Sequence, residues 1–346
     1  MPRPLHALPK AHLHLHFTGS MRHSTLIELA REQGLHLPDA LEQDWPPKLR
    51  ATDERGWFRF QRLYDIARSV LTKPEYVYRL LRETAEDEVA AGSRWLEIQV
   101  DPSGYAQRFG GLTATLELML DAVEQASAHA GIGMAVVVAA NRTRHPLDAN
   151  TLARLATQYA DRNVVGFGLS NDERRGQARE FERAFRIAKR GGLLSVPHGG
   201  ELMGPRSVAQ CVDDLGADRV GHGVRAAEDD WLMQRLADRQ ICCEICPTSN
   251  VGLGGRRAAG RRAAAPVVRR GGCRSRWAPT TPPAVRYAAA APVRAGQGGL
   301  RVLRRGGGRA GPPVRTVLIR PRVRAQGAAQ GRGRLAGRLT RVIRRP

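Results

Sequence analysis

Residues 11–17 read AHLHLHF. Apolar and imidazole side chains alternate there with the period of two that marks a half-buried strand. His14 and His16 are two apart and point to one face, and His12 shares it. Three imidazoles in one short apolar strand point to metal binding. Neutral imidazole is a common zinc ligand, and two or three His with a carboxylate make a typical catalytic set. Six further apolar runs follow: RWLEIQV (94–100), GIGMAVVVAA (131–140), VVGFGLS (164–170), LLSVPHGG (193–200), DRVGHG (218–223) and ICCEICP (241–247). Between them lie stretches such as SVAQCVDDLG (207–216) and AEDDWLMQRLADR (227–239), with apolar residues recurring at three and four. Strand and helix in alternation imply parallel βαβ units. Seven such strands are one short of a (β/α)8 TIM barrel.

In that barrel the chemistry sits at the C-terminal ends of the strands, and the polar residues of this chain fall there. They are His14 and His16, Asn171 to Glu173, His198 and Glu201, His222, and Thr248 to Asn250. His198 in VPHGGE is a third ligand candidate, and Glu201 follows it closely enough to hang over the same mouth. His222 lies between two glycines that leave room for a ligand. A single His near a turn, or a single Glu, is more often a satisfied or solvated side chain. Polar groups at successive strand ends carry far more weight.

The formal charge of +22 over 346 residues points at first to a nucleic-acid binder. Its location argues otherwise. Residues 255–346 hold 24 Arg and no Lys, Asp or Glu, whereas the first 254 residues carry 31 basic and 33 acidic groups. The basic character belongs to the tail alone. The first 254 residues are long enough for one large domain. Five cysteines, three of them in one apolar run, imply reduced thiols in the cytoplasm rather than a disulfide framework. The pair Cys243 and Cys246 belongs to a buried strand. No run approaches the ~20 apolar residues that span a bilayer, and no apolar signal core opens the chain.

At this point the sequence resembles a known family, the adenosine deaminases of the zinc-dependent metallohydrolase superfamily. The resemblance rests on PKAHLHLHFTGS (9–20), GFGLSNDE (166–173), HGGE (198–201), RVGHG (219–223) and EICPTSN (244–250), in order across residues 5–253. It implies a TIM barrel, one Zn2+ per chain and hydrolytic loss of ammonia from the 6-position of a small-molecule purine nucleoside. His14, His16 and His198 would bind the zinc. Glu201 would protonate N1, the ring nitrogen beside the attacked carbon. His222 would act as base toward the attacking water. Attack on an aromatic carbon destroys conjugation, so the ring nitrogen must be protonated at the same time, and a carboxyl kept protonated near neutrality does this.

Three departures from the family pattern matter. Thr18 stands where the family usually has an acidic residue that bonds the ribose 5'-hydroxyl. A smaller, neutral Thr tolerates a 5' substituent, especially an anionic one. One branch of the family acts on such a compound, 6-aminodeoxyfutalosine of menaquinone biosynthesis, and Arg22, Arg62 and Arg68 are candidates to meet its carboxylate. Asn171 stands where the family often has Gly beside the base; with His16 and Thr18 it is a candidate substrate contact. Third, the family draws a further zinc ligand from an Asp-Asp pair at the end of strand eight, and no acidic residue follows Glu244. The codons for Gly271 to Pro282, with G or C chosen at each third position, can be read one frame over as Gly-Val-Pro-Val-Ala-Leu-Gly-Ala-Asp-Asp-Pro, each Asp becoming His under the other choice of base. The Asp reading is the missing strand and its acidic pair.

The expected organisation is therefore an incomplete barrel over 1–253, its eighth strand lost to a frameshift near Gly254–Arg256, and an out-of-frame, disordered tail over 254–346. Out-of-frame translation of GC-rich DNA gives Arg, Ala, Gly and Pro. The competing expectation is a non-catalytic Arg-rich tail for nucleic acid. With only Trp277 and Tyr287 for stacking and no repeated motif, no specific nucleic-acid partner is expected. The sequence leaves the oligomeric state open.

Overall fold

The seven apolar runs all form strands in the computed structural model, which describes residues 9–43, 54–252 and 276–277. They are β1 (Lys10–His16), β2 (Ser93–Val100), β3 (Gly133–Asn141), β4 (Val164–Ser170), β5 (Leu194–Gly199), β6 (Arg219–His222) and β7 (Cys242–Ile245). An eighth, β8, has only two residues, Arg276–Trp277. All pair in parallel in the order β1 to β8, so each strand lies beside its neighbour in sequence.

Ten helices fill the connections among the described residues. They are α1 (His23–Glu32), α2 (Asp39–Glu42), α3 (Glu54–Ser69), α4 (Pro74–Ala90), α5 (Leu112–Ala130), α6 (Pro146–Gln158), α7 (Glu182–Arg190), α8 (Pro205–Asp213), α9 (Asp230–Asp238) and α10 (Pro247–Gly252). The fold is a TIM-type barrel, parallel strands inside and helices outside. The middle of β3, from Met134 to Ala140, is buried throughout. A strand covered on both faces needs a continuous apolar run rather than an alternating one. The outer layer is apolar where it faces the sheet: Phe167 of β4 meets Phe185 of α7 edge-on, with ring centroids 5.1 Å apart, and both are buried.

Two features depart from the sequence expectation. In β1, His12 pairs with Leu96 but Leu15 pairs with Ile98, so three steps on one strand match two on the other. Such an irregularity turns side chains away from strict alternation. His12 leaves the shared face and bonds Glu88 of α4 at 2.9 Å. The second is β8 itself. Arg276 and Trp277 pair with Glu244 and Ile245 of β7. Ladder bonds come from backbone groups, so two residues of a segment with no strand pattern suffice to pair there. No ladder between β8 and β1 is found among the described residues. The rest of the expected tail, 254–346, lies outside the described residues.

Phe167→Ala should cost about 3–5 kcal/mol of unfolding free energy, since it empties a buried aromatic site. Leu147→Ala, at a side chain 59% exposed, should stay within about 0.5 kcal/mol. Urea unfolding of the two variants beside the parent chain measures both.

Candidate active site

The C-terminal ends of β1, β5 and β6 bring four imidazoles together. The ring centroids of His14, His16, His198 and His222 that are in contact lie 4.5 to 5.4 Å apart. The donor atoms of His14, His16 and His198 all fall within 4.8 Å of one another. His14 is wholly buried; its Nδ1 meets Glu244 Oε2 at 2.7 Å. Its Nε2 is buried without a hydrogen-bond partner. His16 Nε2 and His198 Nε2 face each other at 3.1 Å. Two facing imidazole nitrogens and a third left bare are the donor set that a tetrahedral cation takes up. The residues present therefore fit a metal ion.

Electrostatics favour the neutral rings that coordination needs. Burial, and then the neighbouring imidazoles, hold His14 and His198 well below the usual range. Burial lowers His16 to about 4 and His222 to about 3. Glu201 goes the other way. Burial first, and the Glu173 carboxylate second, push it up to about 8. At neutral pH the site thus holds uncharged imidazoles beside an un-ionised carboxyl. His222 Nε2 and Glu201 Oε1 are 3.4 Å apart.

Local backbone shape sets these positions. His222 has a left-handed φ of 62° between Gly221 and Gly223, an uncommon conformation for a non-glycine residue. Its Nδ1 meets the Asn250 side-chain amide at 3.2 Å. A methyl on Gly221 would lie 2.6 Å from His14 Cε1, so this position leaves room only for hydrogen. Asn171 also sits at a left-handed φ, 80°. Its side-chain oxygen accepts the Asp172 N–H at 2.7 Å. A turn of that hand suits glycine or asparagine, which accounts for Asn at a family glycine position.

Thr18 is buried and its hydroxyl bonds the Tyr105 hydroxyl. Arg68 lies over the Tyr64 and Tyr105 rings, 5.4 and 5.6 Å from their centroids. Of the other arginines considered for a substrate carboxylate, Arg22 is paired with Asp87 and Glu86, and Arg62 is exposed. Cys243 and Cys246 are buried and lie in different surroundings. Cys243 packs behind Gly223, whereas Cys246 Sγ lies with His14 and His222 nitrogens within 4.8 Å.

Three residues of the site have no role assigned from the sequence, although Glu173 stands there among the strand-end polar groups. Glu244 holds His14 and also faces Arg219 Nε at 2.9 Å. Its signal was a lone acid inside the apolar run ICCEICP. Arg142 donates to the His198 carbonyl at 2.6 Å, and Glu173 gathers backbone N–H groups of the 200–203 turn. No periodicity marks either one.

The barrel and its mouth of imidazoles define the class of TIM-barrel hydrolases. The chain belongs to the adenosine deaminase family, whose model matches residues 9–269, and it is accordingly an enzyme of the hydrolase class. A Streptomyces virginiae protein named "Putative adenosine/adenine deaminase" is 68% identical over 252 residues, covering 73% of this chain and 74% of that one. The solved structure of adenine deaminase from Arthrobacter aurescens superposes with a TM-score of 0.68 at 27% identity, over 76% of this chain and 79% of that one. An amidohydrolase from Burkholderia ambifaria with bound Zn matches at 0.68 and 24% identity, over 81% and 76% of the two chains, a likeness of fold. No helix among the described residues is long and apolar enough to cross a membrane.

Gly221→Ala should displace the His14 ring and lower metal affinity roughly 10- to 100-fold, as other changes that disturb ligand orientation do. Zinc titration of the parent and variant chains, monitored with a competing chelator, checks this.

Proposed function

We propose that the chain descends from, and carries the site of, a zinc-dependent enzyme that hydrolyses the 6-amino group of adenosine or a 5'-substituted adenosine. The products are the 6-oxo purine and ammonia. The observation that carries this reading is geometric: the Glu201 carboxyl stands 3.4 Å from His222 beside the His14, His16 and His198 donor set. His14, His16 and His198 would hold one Zn2+. Bound there, zinc lowers the pKa of water to roughly 7 and supplies a nucleophile at neutral pH.

The chain's own residues perform the proton transfers. Glu201 gives its proton to N1 as the water oxygen bonds to C6. His222, neutral because it is buried, accepts a proton from that water and passes it to the amino group. The C–N bond then breaks and ammonia leaves. The water's second proton replaces the one Glu201 gave. For His222 to accept at Nε2, its Nδ1 must carry the proton; Nδ1 faces Asn250 Nδ2 at 3.2 Å, so the Asn250 amide must turn over to bring its buried, unpartnered oxygen to that proton. The 170–173 and 200–203 turns and α3 would exclude bulk water from the purine.

A second reading narrows the substrate. Thr18, Tyr64 and Tyr105 present hydroxyls rather than a carboxylate, and Arg68, which pairs with the exposed Asp65 at 3.1 Å, lies over both tyrosine rings. That supports an anionic 5' substituent, as in the 6-aminodeoxyfutalosine of menaquinone synthesis. The two readings differ in ratio of kcat/KM, not in chemistry. A purine nucleoside in the cytoplasm is the expected small-molecule partner in both. The competing non-catalytic role for the Arg-rich tail falls almost wholly on residues outside those described.

The acidic pair expected from strand eight is the weak point. The match to the S. virginiae protein leaves about a quarter of each chain uncovered, and no acid follows Glu244. These observations support a frameshift near Gly254–Arg256. The barrel reading for 1–253 and the out-of-frame reading for 254–346 belong to the same proposal.

Three outcomes are expected. Restoring the alternative frame should raise zinc retention and ammonia release from adenosine above those of the chain as it stands; sequencing the gene across codons 250–285 tests the cause directly. In whichever form is active, Glu201→Gln should lower kcat by about 100- to 10,000-fold, the usual weight of a general acid. Because the protonated carboxyl does the work and its pKa is raised to about 8, kcat/KM should hold steady below that pH and fall as pH rises through it.

A further inference from the structure

We infer that Glu173 is a positioning residue: its buried carboxylate organises the turn 200–203 and thereby sets the placement of Glu201. This rests on the reading of Glu201 as proton donor.

The geometry is specific. Glu173 Oε1 accepts the Gly200 N–H at 2.5 Å. Oε2 accepts those of Glu201 at 2.9 Å, Leu202 at 2.6 Å and Met203 at 3.0 Å. Four successive backbone donors converge on one side chain that is 7% exposed. Successive N–H groups turned inward, with Gly200 at a left-handed φ of 73°, form an anion-binding concavity. Here the anion is supplied by the neighbouring strand end. The other side of the turn is tied too. Arg225 donates from its side chain to the Leu202 carbonyl at 3.2 Å and from its backbone to the Gly200 carbonyl at 3.3 Å. The turn has no regular secondary structure of its own, so these bonds fix where the Glu201 side chain emerges.

Length and charge make separable contributions. Aspartate keeps the charge but is one methylene short of the four donors. Glutamine keeps the length but turns an NH2 toward donors that need an acceptor. The Glu173 carboxylate also adds to the burial that keeps Glu201 un-ionised.

The test uses the full chain with Glu173→Gln and Glu173→Asp, checked for intact secondary structure by circular dichroism. Amide hydrogen exchange is read at residues 200–203 and, as a control, along β4. Exchange at 200–203 should rise at least ~10-fold in the glutamine variant and less in the aspartate variant, with the β4 amides unchanged, since each lost charge-assisted bond opens the turn locally. Unchanged exchange at 200–203 in a folded glutamine variant overturns the inference, as does an equal rise along β4, which would mean general loosening. This arm needs no turnover, so it stands or falls apart from the deaminase reading. Steady-state deamination of adenosine, with the same substitutions in whichever form is active, supplies the second arm. A misplaced proton donor should lower kcat by roughly 10- to 100-fold with KM within about threefold, a loss confined to the transition state, and aspartate should recover part of it. A rise in KM with kcat unchanged overturns the positioning role even where the exchange result agrees.

Discussion

Four imidazoles packed within contact distance in a buried pocket cannot all carry charge. Desolvation disfavours each imidazolium, and every neighbour adds repulsion. The site of this chain is built on that constraint. His14, His16, His198 and His222 stay neutral, so their ring nitrogens keep lone pairs, and the direction of each lone pair is decided by what bonds the other nitrogen. Glu244 takes that part for His14 and Asn250 for His222. The same dry, low-dielectric surroundings that lower the imidazoles raise Glu201. One environment thus keeps the imidazoles neutral and raises a carboxyl, from side chains that in water would titrate near 4 and 6.5.

The cost of burying Glu244, Arg219 and Glu97 is offset by mutual pairing, and that of burying Arg142 and Glu173 by hydrogen bonds to backbone groups. Arg219 bridges Glu97 and Glu244 across the barrel interior. Arg142 and Glu173 satisfy carbonyl and amide groups behind the His198–Glu201 turn. Removing one member of such a network strands a charge, which is more damaging than never having had it. The polar interior therefore does what an apolar core cannot: it fixes side-chain direction at the strand ends.

The edge at β8 is where the architecture is least supported. Strands shorten from nine residues in β3 to four in β6 and β7 and two in β8. Residues around β6 and β7 form a separate, smaller apolar cluster. A parallel barrel protects its edges only by closing on itself, and the segment that should close it carries arginines in place of alternating apolar residues.

The sequence by itself determined the strand order, the barrel class and most of the site, because period-two and period-three-to-four patterns are local and His, Gly and Pro punctuate the strand ends. The strands AHLHLHF, VVGFGLS and ICCEICP were legible without any contact map. So were His14, His16, His198, Glu201 and His222 as a group. The tertiary structure alone decided what long-range pairing controls. The irregular β1 register sent His12 to Glu88. A partner 230 residues away fixed His14. The turn after β4 supplied the carboxylate that clamps the turn after β5, and two arginine-tail residues found the β7 edge. Those outcomes depend on which backbones lie side by side, and no local pattern encodes that.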